Sequence, residues 1–167
     1  RMALDATLAF FETGAKADLT VIGDGPLRRE MEATARAHPN GGQVTFVGKI
    51  AMDRLVDELH AGDMFLYPSF HHGLATIVLQ AMRTGLPVVC IEGDATGRAV
   101  GQEAGITVPL SGTEAPAQGL ARAISELADD EPRRRALAAA AQRIAIERYS
   151  YAALSCRMES IYKNHAP

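Results

Sequence analysis

The sequence has few aromatic residues and no tryptophan, so aliphatic side chains must form most of its core. Phe, Tyr and Trp make up 5% of the 167 residues, whereas hydrophobic residues together make up 47%. The length allows one domain with a sizeable core, and 22% of charged residues is typical of an ordinary globular protein. This composition excludes a largely disordered chain.

Cysteine is also scarce. Cys90 lies in an apolar run and Cys156 in a helical pattern, and both are predicted to be small core residues. Their placement does not suggest a disulfide framework, which favours a reducing, cytoplasmic setting.

The sequence has no long apolar run and no excess of positive charge. No run reaches the roughly 18 residues of a membrane span, and the start, RMALDATLAFF, lacks the layout of a signal peptide. The net charge is −3 with dispersed basic residues, so we expect no nucleic-acid partner. We expect a cytoplasmic protein that meets a membrane surface only through a further domain.

Short apolar runs alternate with helical patterns as far as Pro109. The predicted strands are residues 19–23, 44–48, 64–67, 87–91 and 106–108. The predicted helices between them are residues 4–13, 27–38, 54–60, 77–84 and 98–103. The alternation predicts an α/β fold, a Rossmann-like doubly wound parallel sheet with helices on both faces. Gly14, Gly62 and Gly85 stand where helix C-terminal glycines belong.

The pattern after Pro109 is purely helical. Helices are predicted at residues 115–128, 132–147 and 151–163, with Asp130 and Ser150 as N-caps of the last two. The run at residues 133–135 is interpreted as a solvated helical turn and not as a basic binding patch. The chain is thus predicted to be one domain, residues 1–167, with an α/β core at 1–110 and C-terminal helices at 111–167.

The first predicted helix has no strand before it, although a doubly wound unit normally begins with a strand. We therefore expect an empty place in the sheet between the strands at 19–23 and 64–67. The missing strand either lies on an upstream segment or was removed, and the sequence leaves both alternatives open.

Four loops follow predicted strands at the edge where open α/β sheets bind ligands. These are residues 23–26, 48–50, 68–76 and 92–98. The third is the most specific, because it leads into a helix N-terminus that suits an anion and places Thr76 and Gln80 on one helical face.

Other chemistries fit this loop less well. The adjacent His71 and His72 side chains point apart and have no further ligand at metal spacing, so no metal site is predicted. Ser69 lacks the G-x-S-x-G elbow of a hydrolase, and the sequence has no G-x-G-x-x-G dehydrogenase fingerprint. A purely local structural role for Gly23, His72 or Gln80 stays open.

Seven motifs occur in a characteristic order: LD near the start, GDGP, VTFVGKI, AGDMFLYPS, HHGLATIVLQAM, TGLPVV and AGITVPL. Together they resemble the C-terminal, donor-binding domain of a GT-B glycosyltransferase, most closely the retaining family 4 group, over nearly the whole chain. The resemblance implies a UDP-, GDP- or ADP-sugar as donor and no metal or other cofactor. It also implies an N-terminal acceptor-binding domain in the same protein, and a glycan, lipid or small molecule as acceptor.

The resemblance also assigns the site. His72 and Gln80 stand where that family has two glutamates, the first facing the donor sugar and the second binding the ribose hydroxyls; His72 thus takes the catalytic position. The turn of Gly73, Leu74 and Ala75 would offer its amides to the diphosphate or sugar. The remaining implied donor contacts are Arg1, Gly23, Gly25, Ile50, Ser69, Thr76, Thr96 and Gly97, with Glu103 as a weaker match.

The two replaced glutamates leave two alternatives open. A histidine followed seven residues later by a ribose-binding glutamate resembles the family 1 branch of GT-B enzymes, which use UDP-sugars and in which the histidine contacts phosphate; here Gln80 replaces the acid. Alternatively, the chain belongs to an inactive relative that binds a nucleotide sugar or serves as a structural subunit. Gln80 can still donate to and accept from a ribose diol, whereas a protonated His72 suits a phosphate.

Overall fold

The computed structural model describes residues 1–70, 73–110 and 115–165, apart from the side chain of residue 165. The predicted alternation of strands and helices is confirmed. The strands are β1 (Leu19–Ile22), β2 (Val44–Gly48), β3 (Phe65–Tyr67), β4 (Val88–Ile91) and β5 (Gly105–Val108). The helices are α1 (Met2–Phe11), α2 (Arg28–Ala37), α3 (Met52–Ala61), α4 (Thr76–Arg83), α5 (Ala95–Val100), α6 (Pro116–Asp129), α7 (Glu131–Tyr149) and α8 (Tyr151–His165).

All strand pairs are parallel, and they form two separate sheets. One sheet pairs β1 with β2, and the other has the order β3-β4-β5. Within the described residues no strand pairs with the free edge of β1 or with that of β3. The expected gap between these two strands is therefore confirmed.

Strand β4 lies at the centre of the packing and is buried along its whole length. Val89 and Ile91 join a core cluster with α1 and α6, whereas Val88 and Cys90 join a second cluster with α4 and α7. This is the period-two alternation of a strand that is covered on both faces. The predicted helical layers on the two faces of the sheet are confirmed.

The two sheets share the first core cluster. Leu19 and Val44 of the small sheet pack against the same buried residues as Leu66 and Val89 of the larger sheet, beneath α1 and α6. Side-chain packing under these two helices therefore holds the sheets together where the backbone ladder is interrupted.

One predicted helix is misplaced. It was expected at residues 98–103, but α5 runs from Ala95 to Val100. The buried Asp94 accepts a hydrogen bond from the Gly97 amide at 2.6 Å and starts the helix three residues early, and Gly101, at φ +53°, ends it.

The sequence also predicts glycines at three helix C-termini and N-caps for α7 and α8. Gly14 and Gly85 have φ of +85° and +83°, as helix C-terminal glycines require, whereas Gly62 ends α3 with an extended backbone at φ −85°. The Asp130 carboxylate accepts from the Arg133 amide and the Ser150 hydroxyl accepts from the amide of residue 153, so both predicted N-caps are confirmed.

The prediction for Cys156 is wrong, because this residue is exposed on α8. The residues of α8 are mostly exposed, so a helical pattern there does not indicate burial. Among the helices that the structure describes, none is both long and apolar enough to cross a membrane.

The gap in the sheet predicts a difference in amide exchange between two residues at the same register position, Leu66 and Val89. The Phe65 amide donates to Pro87 in the direction of β4, so the Leu66 amide points to the gap, since successive amides of a strand alternate in direction. We expect the Leu66 amide to exchange markedly faster than that of Val89, measured by NMR. Equal protection would mean that another strand closes the gap in solution.

The two cysteines are expected to differ in reactivity. Cys90 is 1% exposed, and burial, followed by the charge of Asp94, raises the pKa of its thiol to about 12. Since the thiolate is the reactive form, a maleimide at about pH 8 should label only Cys156 in the folded chain and both thiols in denaturant. A Cys156→Ser chain is the control, and rapid labelling of that folded chain would contradict the prediction. Mass spectrometry identifies the labelled residue.

Candidate functional site

The loops after β1 and β2 are joined at the carboxyl edge of the small sheet. The Gly23 amide donates to the Gly48 carbonyl oxygen at 2.8 Å, and both glycines have positive φ, at +123° and +81°. Gly25 donates to the Asp24 carboxylate at 2.9 Å and accepts from the Arg28 amide at 3.1 Å. Gly23 and Gly25 therefore shape the turn into α2 through their own backbone contacts.

Arg28 was missed by the sequence analysis. Its guanidinium lies against Gly48, where an added Cβ would come within 2.7 Å of Nη1, and it donates to the Phe46 carbonyl at 3.3 Å. A hydrogen bond to Glu32 at 2.8 Å raises the pKa of Arg28. The four-residue spacing to Glu32 is visible in the sequence, but the reach to β2 depends on the tertiary fold.

Arg1 stands at the start of α1, beside the first turn of α2. Its Nε donates to Asp5 at 2.8 Å, and its Nη1 pairs with Glu30. The hydrogen bond to Asp5 is the main cause of the raised pKa of Arg1. The predicted phosphate-binding cation is thus present at this edge, but two exposed carboxylates already pair with it, and a diphosphate would compete with them.

Gln80 of α4 contacts the start of α3, the helix that follows β2. Gln80, half-buried on α4, places its Nε2 3.4 Å from the sulfur of Met52, the first residue of α3, and Ile50 lies half-buried two residues before. The structure therefore brings the predicted Ile50 and Gln80 into one region. Met52 was missed, and as a residue it is 60% exposed there.

The predicted donor loop leads from β3 into α4. Ser69 is half-buried, and its amide donates to the Tyr67 carbonyl at 3.0 Å. Gly73 is exposed and Leu74 half-buried. Ala75 is the N-cap of α4 and provides no side-chain cap, while Thr76 is exposed at the first helical position. His71 and His72 lie outside the described residues, so the role implied for His72 stays a prediction.

The loop after β4 approaches the donor loop through Thr96. Thr96 is 1% exposed, and its hydroxyl donates to the Gly73 carbonyl oxygen at 3.2 Å. At Gly97 an added Cβ would lie 2.9 Å from the Ile91 carbonyl oxygen, so this position needs glycine for a close backbone approach. Asp94, the buried cap beside it, was missed as a site residue, although an Asp three residues before Gly97 is an N-cap signal.

Glu103 does not belong to this region. It lies between α5 and the start of β5, at the opposite edge of the sheet, and pairs with Arg143 at 3.6 Å. The described residues contain no group of three or more His, Cys, Asp or Glu side chains that could hold a metal ion. The described part of the edge therefore offers a ligand backbone amides, two paired arginines, the exposed Lys49 and neutral polar side chains.

The fold is similar to that of known glycosyltransferases. The structure matches sucrose-phosphate synthase from Thermosynechococcus elongatus with a TM-score of 0.80 and 23% identity. The match covers 98% of this chain and 42% of that protein. It also matches Anabaena HepE, solved in complex with UDP, with a TM-score of 0.78 and 19% identity. This match covers 98% of this chain and 44% of HepE. These likenesses confirm the predicted Rossmann-like half of a GT-B fold.

The sequence comparisons agree with the fold. The chain is 28% identical to the 2-deoxystreptamine glucosyltransferase of Streptomyces kanamyceticus over 130 residues, 78% of this chain and 33% of the relative. It spans between 14% and 41% of the length of the curated relatives that it matches. The pattern of the family described as "Glycosyl transferases group 1" matches residues 2–130. The chain therefore belongs to the group 1 glycosyl transferases.

Proposed function

We propose that this chain is the donor-binding half of a retaining, family 4-like glycosyltransferase that takes a nucleoside-diphosphate sugar at the carboxyl edge of its sheets. The observation that carries the proposal is the convergence of the donor loop with the loop after β4, through Thr96 and Gly73, in a chain of this family. A separate domain of the same protein would bind the acceptor. Transfer without a metal or other cofactor, and a cytoplasmic location, are parts of the proposal.

The first turn of α4 supports a diphosphate subsite. Ala75, the N-cap of this helix, gives its first turn no side-chain cap, so within the described residues these amides have no acceptor from the cap side chain. Amides at a helix start stabilise a phosphate, and they would stabilise the charge that develops on the leaving diphosphate. Arg1 would add a cation at the same edge once the diphosphate competes with Asp5 and Glu30.

Gln80 supports a ribose subsite next to Ile50 and Met52. Its amide both donates and accepts, so it can bind a vicinal diol after its weak contact with the Met52 sulfur is released. A carboxylate would bind the same diol more strongly through charge-assisted hydrogen bonds. A glutamine at position 80, where the resemblance implies a glutamate, therefore lowers the affinity for the nucleoside without removing the subsite.

Changes at Gln80 test this assignment. In the full-length protein we expect Gln80→Ala to weaken UDP binding roughly fivefold, the effect of losing about one net hydrogen bond, and Gln80→Glu to strengthen it. Isothermal titration calorimetry with UDP measures both. Gln142→Ala is a matched control, because Gln142 donates to Arg83 at the other end of α4. If Gln80→Ala and Gln142→Ala both bind UDP as the parent does, the ribose subsite is elsewhere.

His72 tests the phosphate contact. If it binds the diphosphate, His72→Ala should weaken binding of UDP and leave binding of uridine unchanged, because only the charged contact is lost. A His72→Ala protein that binds UDP as tightly as the parent would remove this residue from the phosphate site.

The second candidate function is a non-catalytic nucleotide-sugar-binding or structural subunit. It is favoured by Gln80, a neutral residue at a position where the resemblance implies a carboxylate. Incubating the full-length protein with UDP-, GDP- and ADP-sugars and a broad acceptor panel separates the two. Release of nucleoside diphosphate supports the transferase, whereas tight binding without turnover supports the subunit.

A further inference from the structure

Thr96 has the buried, fixed environment of a structural group, although the resemblance assigns it to the donor. Its side chain is 1% exposed, and its hydroxyl proton is directed at the Gly73 carbonyl oxygen, 3.2 Å away. The two residues are 23 positions apart. A hydroxyl in this position links the two loops instead of facing the open edge.

The backbone that carries Thr96 is held on both sides. Asp94 caps the residue after Thr96 with a 2.6 Å hydrogen bond, and Gly97 lies against the Ile91 carbonyl at the end of β4. Ala99 and Val100, which follow, are buried. The start of α5 is thus anchored on the most buried strand of the fold, and the Thr96 hydroxyl extends that anchor to the donor loop.

Gly73 needs such an anchor. It is exposed, and an added Cβ would meet nothing within 4 Å, so no neighbour packs against the side of its Cα where a side chain would stand. Glycine also has the widest choice of backbone conformations. A hydrogen bond to its carbonyl oxygen is therefore a direct restraint on the peptide that joins Gly73 to Leu74.

The orientation of this peptide fixes an amide that faces away from α5. The peptide is trans, because the described residues contain no cis bond, and in a trans peptide the C=O and the N–H point in opposite directions. When the Gly73 carbonyl points to Thr96, the Leu74 N–H points away from it. Rotation of the peptide would turn the carbonyl oxygen, which repels an anion, to the side where the amide now lies.

We propose that Thr96 is a positioning residue for the donor loop: it does not touch the donor, but orients the Leu74 amide to bind the diphosphate or the sugar. This inference rests on the proposed function, since it names how one amide of that site is kept in place. It replaces the direct donor contact that the resemblance implies for Thr96.

The test compares Thr96→Val, which keeps the shape and removes the hydroxyl, with Thr96→Ser, which keeps the hydroxyl, in the full-length protein. Thr96→Val should weaken UDP binding roughly fivefold, as expected for the loss of a hydrogen bond worth about 1 kcal/mol, and Thr96→Ser should restore it. Calorimetry measures the affinity. Thr84→Val is the control, because Thr84 donates to the Ala81 carbonyl at the far end of α4 and should not affect UDP binding.

Two further measurements separate positioning from stability. The Leu74 amide should exchange faster in Thr96→Val than in the parent without ligand, while the amides of β4 keep their protection. If Thr96→Val does not fold, Thr96→Ala takes its place and is compared with Thr96→Ser in the same way.

The outcomes distinguish this inference from the proposed function. If the parent binds UDP and Thr96→Val binds it equally well, the positioning role is wrong and the proposed function stands. The same holds if Thr96→Ser loses binding as Thr96→Val does, because the hydroxyl is then not the active group. If the parent binds none of UDP, GDP and ADP, the proposed function fails and this inference fails with it.

Discussion

The burial of β4 on both faces is the constraint on which the rest of the structure depends. Alternate residues of this strand face α1 and α6 on one side and α4 and α7 on the other, so one four-residue strand holds both helical layers. Its ladder also fixes β3 and β5 in parallel. The loops that follow β3 and β4 must then emerge at the same edge, and this is why Thr96 can reach Gly73.

The same constraint does not extend to the small sheet. No backbone hydrogen bond of the described strands joins β1 to β3, so Gly23, Gly48 and Arg28 are held relative to the donor loop by packing under α1 and α6. Hydrogen bonds are directional, whereas apolar packing is not. The contact between Gln80 and Met52 crosses this boundary, so the geometry of the proposed ribose subsite is the part of the site that is most sensitive to the position of the small sheet.

The features that the sequence predicts correctly are those that depend on local patterns. Apolar runs locate all five strands, and the missing partner between β1 and β3 follows from the rule that doubly wound units begin with a strand. The start of α5 was misjudged because its cap, Asp94, is a stronger signal than the helical periodicity after Arg98. Arg28 and the link between Thr96 and Gly73 were not predictable, because they join residues that are distant in the sequence.

A neutral Gln80 is compatible with the proposed donor site, because its amide can both donate to and accept from a ribose diol. Arg1 and Arg28 are each paired with carboxylates of α1 or α2, so neither is an unpaired cation. A diphosphate would have to displace these carboxylates to bind either arginine, whereas backbone amides, whose direction is set by the fold, need no such exchange. If the donor binds as proposed, the orientation of the Leu74 amide, and thus the anchor on Thr96, contributes to binding without the exchange of any ion pair.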